Sequence, residues 1–389
     1  MRVLVAFDKF KDALTADAVC EAVANALHAS HSDWQLDLCP LTDGGEGFCE
    51  TLTDAACGRL EFLPVAGPRG GSVNAPLGQV RGDRLSPAVL TQLGLQPENT
   101  LAVVGLASAS GLELLPAAQR DPWQTSSVGT GELLRTAATT GASAILLGVG
   151  GSATNDLGLG ALAALGFKFL DAAGAVIAPP VPSTWDRIQR IDRSGSVALP
   201  PVFIACDVTN PLLGLQGATA TFGPQKGLPS ADLPELEART ARLAASLCQA
   251  CDQPISLTES PGAGAAGGLA FGLMTACGAK LVPGFALVSD WLKLPARLVA
   301  ADLVLTGEGR FDATSLRGKG PGSLVREAQR LGKPVHVFAG SLGLPAASGA
   351  ESPTPPSFHA ITPSGLPLSV ALPRTAELLA VAVMRAFAP

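Results

Sequence analysis

The chain opens on an apolar run, RVLVAF (2–7), that stops at a polar cluster, and so short a run bounded by polarity reads as a buried strand. From Thr15 to His28 the sequence TADAVCEAVANALH carries apolar residues at 18, 19, 22, 23, 26 and 27. That is helical spacing, with Thr15 as the candidate N-cap. LDLCPL (36–41) reads as a second strand and TDGGEG (42–47) as a tight turn, so the chain begins β-α-β, as a parallel sheet does. Residues 65–100 lack a clear pattern and are rich in Gly and Pro. Beyond them LAVVGLA (101–107) predicts a strand, ELLRTAATTG (132–141) a helix closed by a glycine, and AILLGV (144–149) a strand. LGALAALGF (159–167) predicts a helix and FKFLD (167–171) a strand. The pattern continues with a strand in PVFIACDVTNP (201–211) and a charged helix from about 233 to 248. In 262–281 glycines open a small-residue helix, in the manner of 148–168. ADLVLTGEG (301–309), KPVHVFAG (333–340) and FHAITP (358–363) read as strands, ESPTPPS (351–357) as a surface loop, and TAELLAVAVMRAF (375–387) as a closing helix. This alternation of strand and helix predicts an α/β protein.

Composition adds scale and excludes some functions. With 389 residues, 47% hydrophobic and 15% charged, the chain can bury a large core, and the length suits two or three domains, or two with one inserted into the other. The formal charge of −6 comes with no Lys/Arg cluster long enough to follow a nucleic-acid backbone. The first apolar stretch is too short for a signal peptide and no window resembles a membrane span, so a cytoplasmic protein is expected. The eight cysteines have no framework spacing, and the CxxC pair Cys248 and Cys251 has no second pair or nearby His to complete a zinc site. The four histidines are scattered, which leaves a histidine-based mechanism without a motif.

The chemistry gathers in glycine-rich turns after the predicted strands. VGGSATNDLG (149–158) lies between a strand and a helix, where bare amides and a helix N-terminus can receive an anion. Read as G-x-G-x-x-A, with Asp171 about 20 residues on, it also fits a dinucleotide fingerprint. Asn155 and Asp156 oppose that reading, because a carboxylate ~4 Å from a pyrophosphate is repelled by the order of 4 kcal/mol at an effective dielectric near 20. The second G-x-G-x-x-G, at 262–267, has no convincing strand before it. A carboxylate does suit a phosphate that arrives with Mg²⁺, which takes one or two carboxylates beside phosphate oxygens. DGGEG places Asp43 and Glu46 around two glycines, CDVTNP presents Asp207 and Asn210, and TGEGRFD presents Glu308 and Asp312. Ligands of open α/β sheets bind at such strand exits, although Asp, Asn and Gly are also the favoured turn residues. Lys9, Lys11, Lys226, Arg310 and Lys319 supply the basic side. No Walker A sequence and no protein-kinase signature is present.

Nine segments occur in one order: FDKFKDALTA, TDGGEG, SSVGTGELL, VGGSATND, ACDVTNPLLG, FGPQKG, PGAGAAGG, LVPGF and TGEGRFDATSLRGK. In this order the chain resembles the glycerate kinase family of the type that forms 2-phosphoglycerate, over nearly its whole length and least in 70–100 and 341–372. Lys9 departs from a position that is often Ser in the family, Asp121 from one that is often Asn, and Thr209 from one that is often acidic.

The resemblance implies ATP- and Mg²⁺-dependent phosphorylation of D-glycerate by two α/β domains. One is a Rossmann-like parallel-sheet domain of residues 1–66 and 285–389. The other, 67–284, is inserted into it, with the active site in the interdomain cleft. It implies Asp207, Lys11 and Asp312 as catalytic residues, and Gly150, Gly151, Ser152, Thr154, Asn155 and Lys319 as the ATP-binding set. The expected Mg²⁺ ligand is Asp156 or a neighbour among Asp43 and Glu308. Asp207 would orient or deprotonate the glycerate 2-hydroxyl, while Lys11 and Lys319 would neutralise carboxylate or phosphoryl charge. The alternative that the residues leave open is an NAD(P)-dependent oxidoreductase acting on a small hydroxy acid, with the 148–153 glycines on pyrophosphate and Asp171 on ribose.

Overall fold

The computed structural model describes residues 1–316, 320–343 and 354–388. The chain divides into two compact units, Met1–Asp43 with Val288–Pro389, and Gly44–Leu287. The domain boundaries expected from the sequence stood at 66/67 and 284/285.

The discontinuous unit is built on a wholly parallel sheet in the order Ser357–Ala360, Val335–Gly343, Leu303–Asp312, Arg2–Phe7, Gln35–Leu38. The run RVLVAF is an interior strand of this order, between Leu303–Asp312 and Gln35–Leu38, and pairs Val3 with Leu303 through to Phe7 with Gly307. A strand flanked on both sides and covered on both faces is apolar without alternation, which is why the run shows no period of two. Thr15 caps the Ala16–His28 helix by accepting the Ala18 amide. Val19, Val23 and Leu27 of that helix join Leu379 and Val383 of the Thr375–Ala386 helix and Val3, Val5 and Phe7 in one core.

The continuous unit has a six-stranded mixed sheet. Lys280–Val282, Val202–Ala205, Ala144–Gly148 and Thr100–Gly105 run parallel in that order, followed by Ser72–Arg81 and Arg59–Ala66 as an antiparallel pair. That pair occupies much of the stretch without pattern. The outer strand is mostly exposed and contains Pro64, as an edge strand can. FKFLD contributes Lys168–Leu170, which pairs with Arg190–Asp192 in a separate two-stranded sheet. The glycines of 262–268 lead into the helix through a turn in which Ala266 and Gly267 are left-handed, and Gly268, left-handed as well, is the N-cap of the Leu269–Cys277 helix. No helix among the described residues is long and apolar enough to cross a membrane.

Candidate functional site

In the continuous unit the candidate residues follow two neighbouring parallel strands. Ala144–Gly148 leads into the Gly150–Asp156 turn, and Val202–Ala205 leads to Asp207. The Gly44–Gly47 turn lies against both exits. Gly150 donates its amide to the Gly44 carbonyl at 2.8 Å, and a Cβ on Gly44 would stand 3.6 Å from the Ala205 carbonyl oxygen. The Gly150 amide is therefore engaged within the fold, and so is that of Ala153, which donates to the Ser110 carbonyl at 2.9 Å. Between them the amides of Gly151 and Ser152 meet no protein acceptor among the described residues. Gly151 is exposed and left-handed at φ 68°, and a side chain there would begin 2.1 Å from Glu46 Oε1. The left-handed φ favours glycine at this position, whereas the Glu46 carboxylate is the end of a flexible side chain that can turn aside. Gly150 thus anchors the turn to Gly44, and the amides of residues 151 and 152 lie outside these bonds.

Asp156, expected as a metal ligand, has the surroundings of a buried hydrogen-bond acceptor. Its side chain is fully buried and turned into its own loop. One oxygen accepts the Ser127 amide and hydroxyl, both at 2.7 Å, and the Gly160 amide at 3.2 Å; the other accepts the Gly158 amide at 3.1 Å. Burial raises its carboxyl above the usual range and these four donors oppose the rise. The carboxylate thus satisfies amides at the start of the Leu159–Ala164 helix. Asn155 is buried as well, between Thr219, to which it donates at 3.4 Å, and Lys226, from which it accepts at 3.4 Å. Asp207 accepts the Phe285 amide with both oxygens, at 3.1 and 3.0 Å.

In the discontinuous unit the structure brings together Asp43, Glu308 and Asp312, with Asp8 and Lys9. Asp8 extends the first strand by donating its amide to the Gly307 carbonyl, and its buried carboxylate accepts the Lys9 amide at 2.7 Å. Burial, then the charge of Asp43 and more weakly that of Glu308, push this carboxyl up to about 7 against the pull of Lys9. Lys9 reaches Asp43 at 3.4 Å. Glu308 is raised too, first by burial and then by Asp43 and Asp312, and its Oε1 is buried with no hydrogen-bond partner among the described residues. Asp312 closes the Leu303–Asp312 strand beside Arg310, at 3.2 Å. Lys11 is exposed on the turn after the first strand, and Lys319 lies outside the described residues.

Two groups are buried that the sequence did not mark as such: Asp8, which was not among the expected site residues, and Lys226, which was expected only as part of the basic side. Each had a signal, a carboxylate directly after a buried strand and a lysine inside FGPQKG, but a charged residue in either place ordinarily points to solvent.

The dinucleotide reading fails on geometry. Asp171 accepts the Ala173 and Ala175 amides of its own turn, both at 2.9 Å, and follows a strand of the separate two-stranded sheet. It is therefore not at the end of a strand next to Ala144–Gly148, where a ribose-binding carboxylate belongs.

Comparison with known proteins agrees. The model of the glycerate kinase family matches residues 3–388. Glycerate 2-kinase of Escherichia coli (strain K12) is 39% identical over 348 residues, 88% of this chain and 86% of that one. Glycerate kinase of Bacillus subtilis (strain 168) is 35% identical over 382 residues, 97% of this chain and 95% of that one. A crystal structure assigned as glycerate kinase 2, from Salmonella typhimurium LT2, superposes with a TM-score of 0.73 at 36% identity, covering 99% of this chain and 97% of that one. None of these lends support to an oxidoreductase. The chain belongs to the glycerate kinase family.

Proposed function

We propose that the protein transfers the γ-phosphoryl group of ATP to the 2-hydroxyl of D-glycerate in a Mg²⁺-dependent reaction, giving 2-phosphoglycerate and ADP. The observation that carries this reading is the pair of unengaged amides at Gly151 and Ser152, held open after a parallel strand. Adjacent amides in such a turn suit phosphate oxygens. The name of the Escherichia coli relative, glycerate 2-kinase, supports the 2-position.

Phosphoryl transfer needs positioning and charge neutralisation more than covalent chemistry. In this reading the amides of Gly151 and Ser152 and the Ser152 hydroxyl bind phosphate oxygens, while Gly150, Thr154 and Asn155 fix the turn. Asp207 orients the 2-hydroxyl or takes its proton, and the Phe285 amide keeps that carboxylate from rotating. Lys11 and Lys319 supply positive charge to the substrate carboxylate or the phosphoryl group, and Asp312 completes the acidic set with Glu308. Among the described residues no three acidic, His or Cys side chains form a metal cage. Mg²⁺ needs only one or two carboxylates beside phosphate oxygens and water. Asp43 and Glu308, whose charges repel each other, fit that requirement, and Glu308 Oε1 has no hydrogen-bond partner among the described residues. Bound there, the ion would neutralise charge on the phosphates.

A ³¹P NMR time course with ATP, Mg²⁺ and D-glycerate tests the reading. A growing 2-phosphoglycerate resonance that EDTA abolishes is expected. A 3-phosphoglycerate resonance would overturn the position, and no phosphoester from folded protein would overturn the kinase. Asp207→Asn keeps an acceptor for Phe285, so kcat should fall by about 10²–10⁴ with little change in the melting midpoint. Parallel loss of both would give Asp207 a structural part alone.

A further inference from the structure

Behind the Gly151–Ser152 turn lies a lysine where a globular core would ordinarily place an apolar side chain. Lys226 closes the Pro224–Lys226 turn and is 1% exposed. Its ammonium donates to the Thr154 carbonyl at 2.6 Å and to Asn155 Oδ1 at 3.4 Å. Asn155 passes the chain of bonds on to the Thr219 hydroxyl at 3.4 Å. On another side Gly267 comes so close that a Cβ there would stand 2.0 Å from the Thr154 carbonyl oxygen, and its own carbonyl accepts the Leu157 amide at 3.1 Å. Residues 154–157 are therefore held by three separate segments. The next residue back, Ala153, is held in turn by Ser110 through its amide and by the Thr125 hydroxyl, at 3.1 Å, through its carbonyl.

Burying an ammonium is unfavourable. Burial pushes Lys226 down to about 7, with the charge of Asp156 opposing. An apolar side chain of similar length would fill the space without that penalty, but it could not donate to the Thr154 carbonyl and Asn155 together. We infer that Lys226 is a positioning residue for phosphoryl transfer: by holding the Thr154 carbonyl and the Asn155 side chain it fixes where the Gly151 and Ser152 amides point, without touching substrate. The inference rests on the reading of that turn as the phosphate-holding element.

The test pairs Lys226→Met with Gly151→Val in the full chain. Both are assayed for kcat and for KM of ATP and of D-glycerate, with melting midpoints recorded. A misplaced phosphate cradle should lower kcat/KM for ATP by about 100-fold in folded Lys226→Met, while KM for D-glycerate stays within about threefold. A folded Lys226→Met with kcat/KM for ATP near that of the natural chain, beside a Gly151→Val that has lost it, would overturn the inference and leave Lys226 a packing residue. A fully active Gly151→Val would instead remove the turn from the phosphate site, and the inference with it. Should Lys226→Met not fold, Lys226→Ala is titrated with propylammonium, which can refill the vacated space with a donor. Recovery of kcat with amine concentration supports the positioning role, and recovery of the melting midpoint without activity overturns it.

Discussion

Replacing Asp156 by alanine should abolish cooperative folding of the Gly44–Leu287 unit near 37 °C, and activity with it. The carboxylate is wholly buried and takes four hydrogen bonds, from Ser127 twice and from Gly158 and Gly160. Alanine leaves all four donors without an acceptor and out of reach of water. Each such donor costs about 1–3 kcal/mol, so even with partial relaxation the loss exceeds about 4 kcal/mol, against typical domain stabilities of about 5–15 kcal/mol. Asp156→Asn keeps the shape but turns an NH₂ toward donors on one side, and should cost about 3 kcal/mol. Urea unfolding followed by far-UV circular dichroism checks both. The result is also decisive about role. A metal ligand replaced by Asn would leave the urea midpoint in place and change the Mg²⁺ dependence, whereas the hydrogen-bonded carboxylate seen here predicts the reverse.

Asp156 also shows where sequence reading stops. An Asp at a loop-to-helix junction can face outward to a metal or inward to amides, and the string SATNDLG is the same for both. The decision lies with Ser127, 29 residues away, which supplies two of the four donors. Elements whose burial follows from their own pattern were legible: RVLVAF as an interior parallel strand, AILLG as its counterpart in the second sheet, and the Thr15-capped helix. The antiparallel pair Arg59–Ala66 and Ser72–Arg81 was not. Its outer strand is mostly solvated, and its inner strand is interrupted by Pro76 and by Gly78, where a Cβ would lie 2.0 Å from Thr53 Oγ1. The candidate turns after strands were visible from their glycines and carboxylates. Which amides remain open, and that a lysine and an aspartate are buried behind them, depends on contacts from distant segments that no local pattern encodes.

Raising the pH from about 5 to about 8 should destabilise the protein through Asp8, and Asp8→Asn should remove that dependence. A carboxyl that titrates near 3.8 when unfolded and near 7 when folded holds its proton more tightly in the folded state. Between those values the folded chain binds more protons than the unfolded one, so the slope of stability against pH is negative. The penalty is absent below about 4, grows through the interval, and is complete above about 7, where it reaches the order of 4 kcal/mol. Its causes are the burial of Asp8 and the charges of Asp43 and Glu308, which Lys9 only partly offsets. Asn cannot ionise and keeps an acceptor for the Lys9 amide, so Asp8→Asn should be more stable than the natural chain at pH about 8 and by a clearly smaller margin at pH about 5. A cation at Asp43 and Glu308 would offset the same repulsion, so millimolar Mg²⁺ should restore part of the lost stability at pH about 8 in the natural chain and less in Asp8→Asn. Urea midpoints at the two pH values, with and without Mg²⁺, give the four comparisons. Parallel pH profiles for the two chains would mean that Asp8 stays ionised throughout and that its burial is relieved by a neighbour other than Lys9.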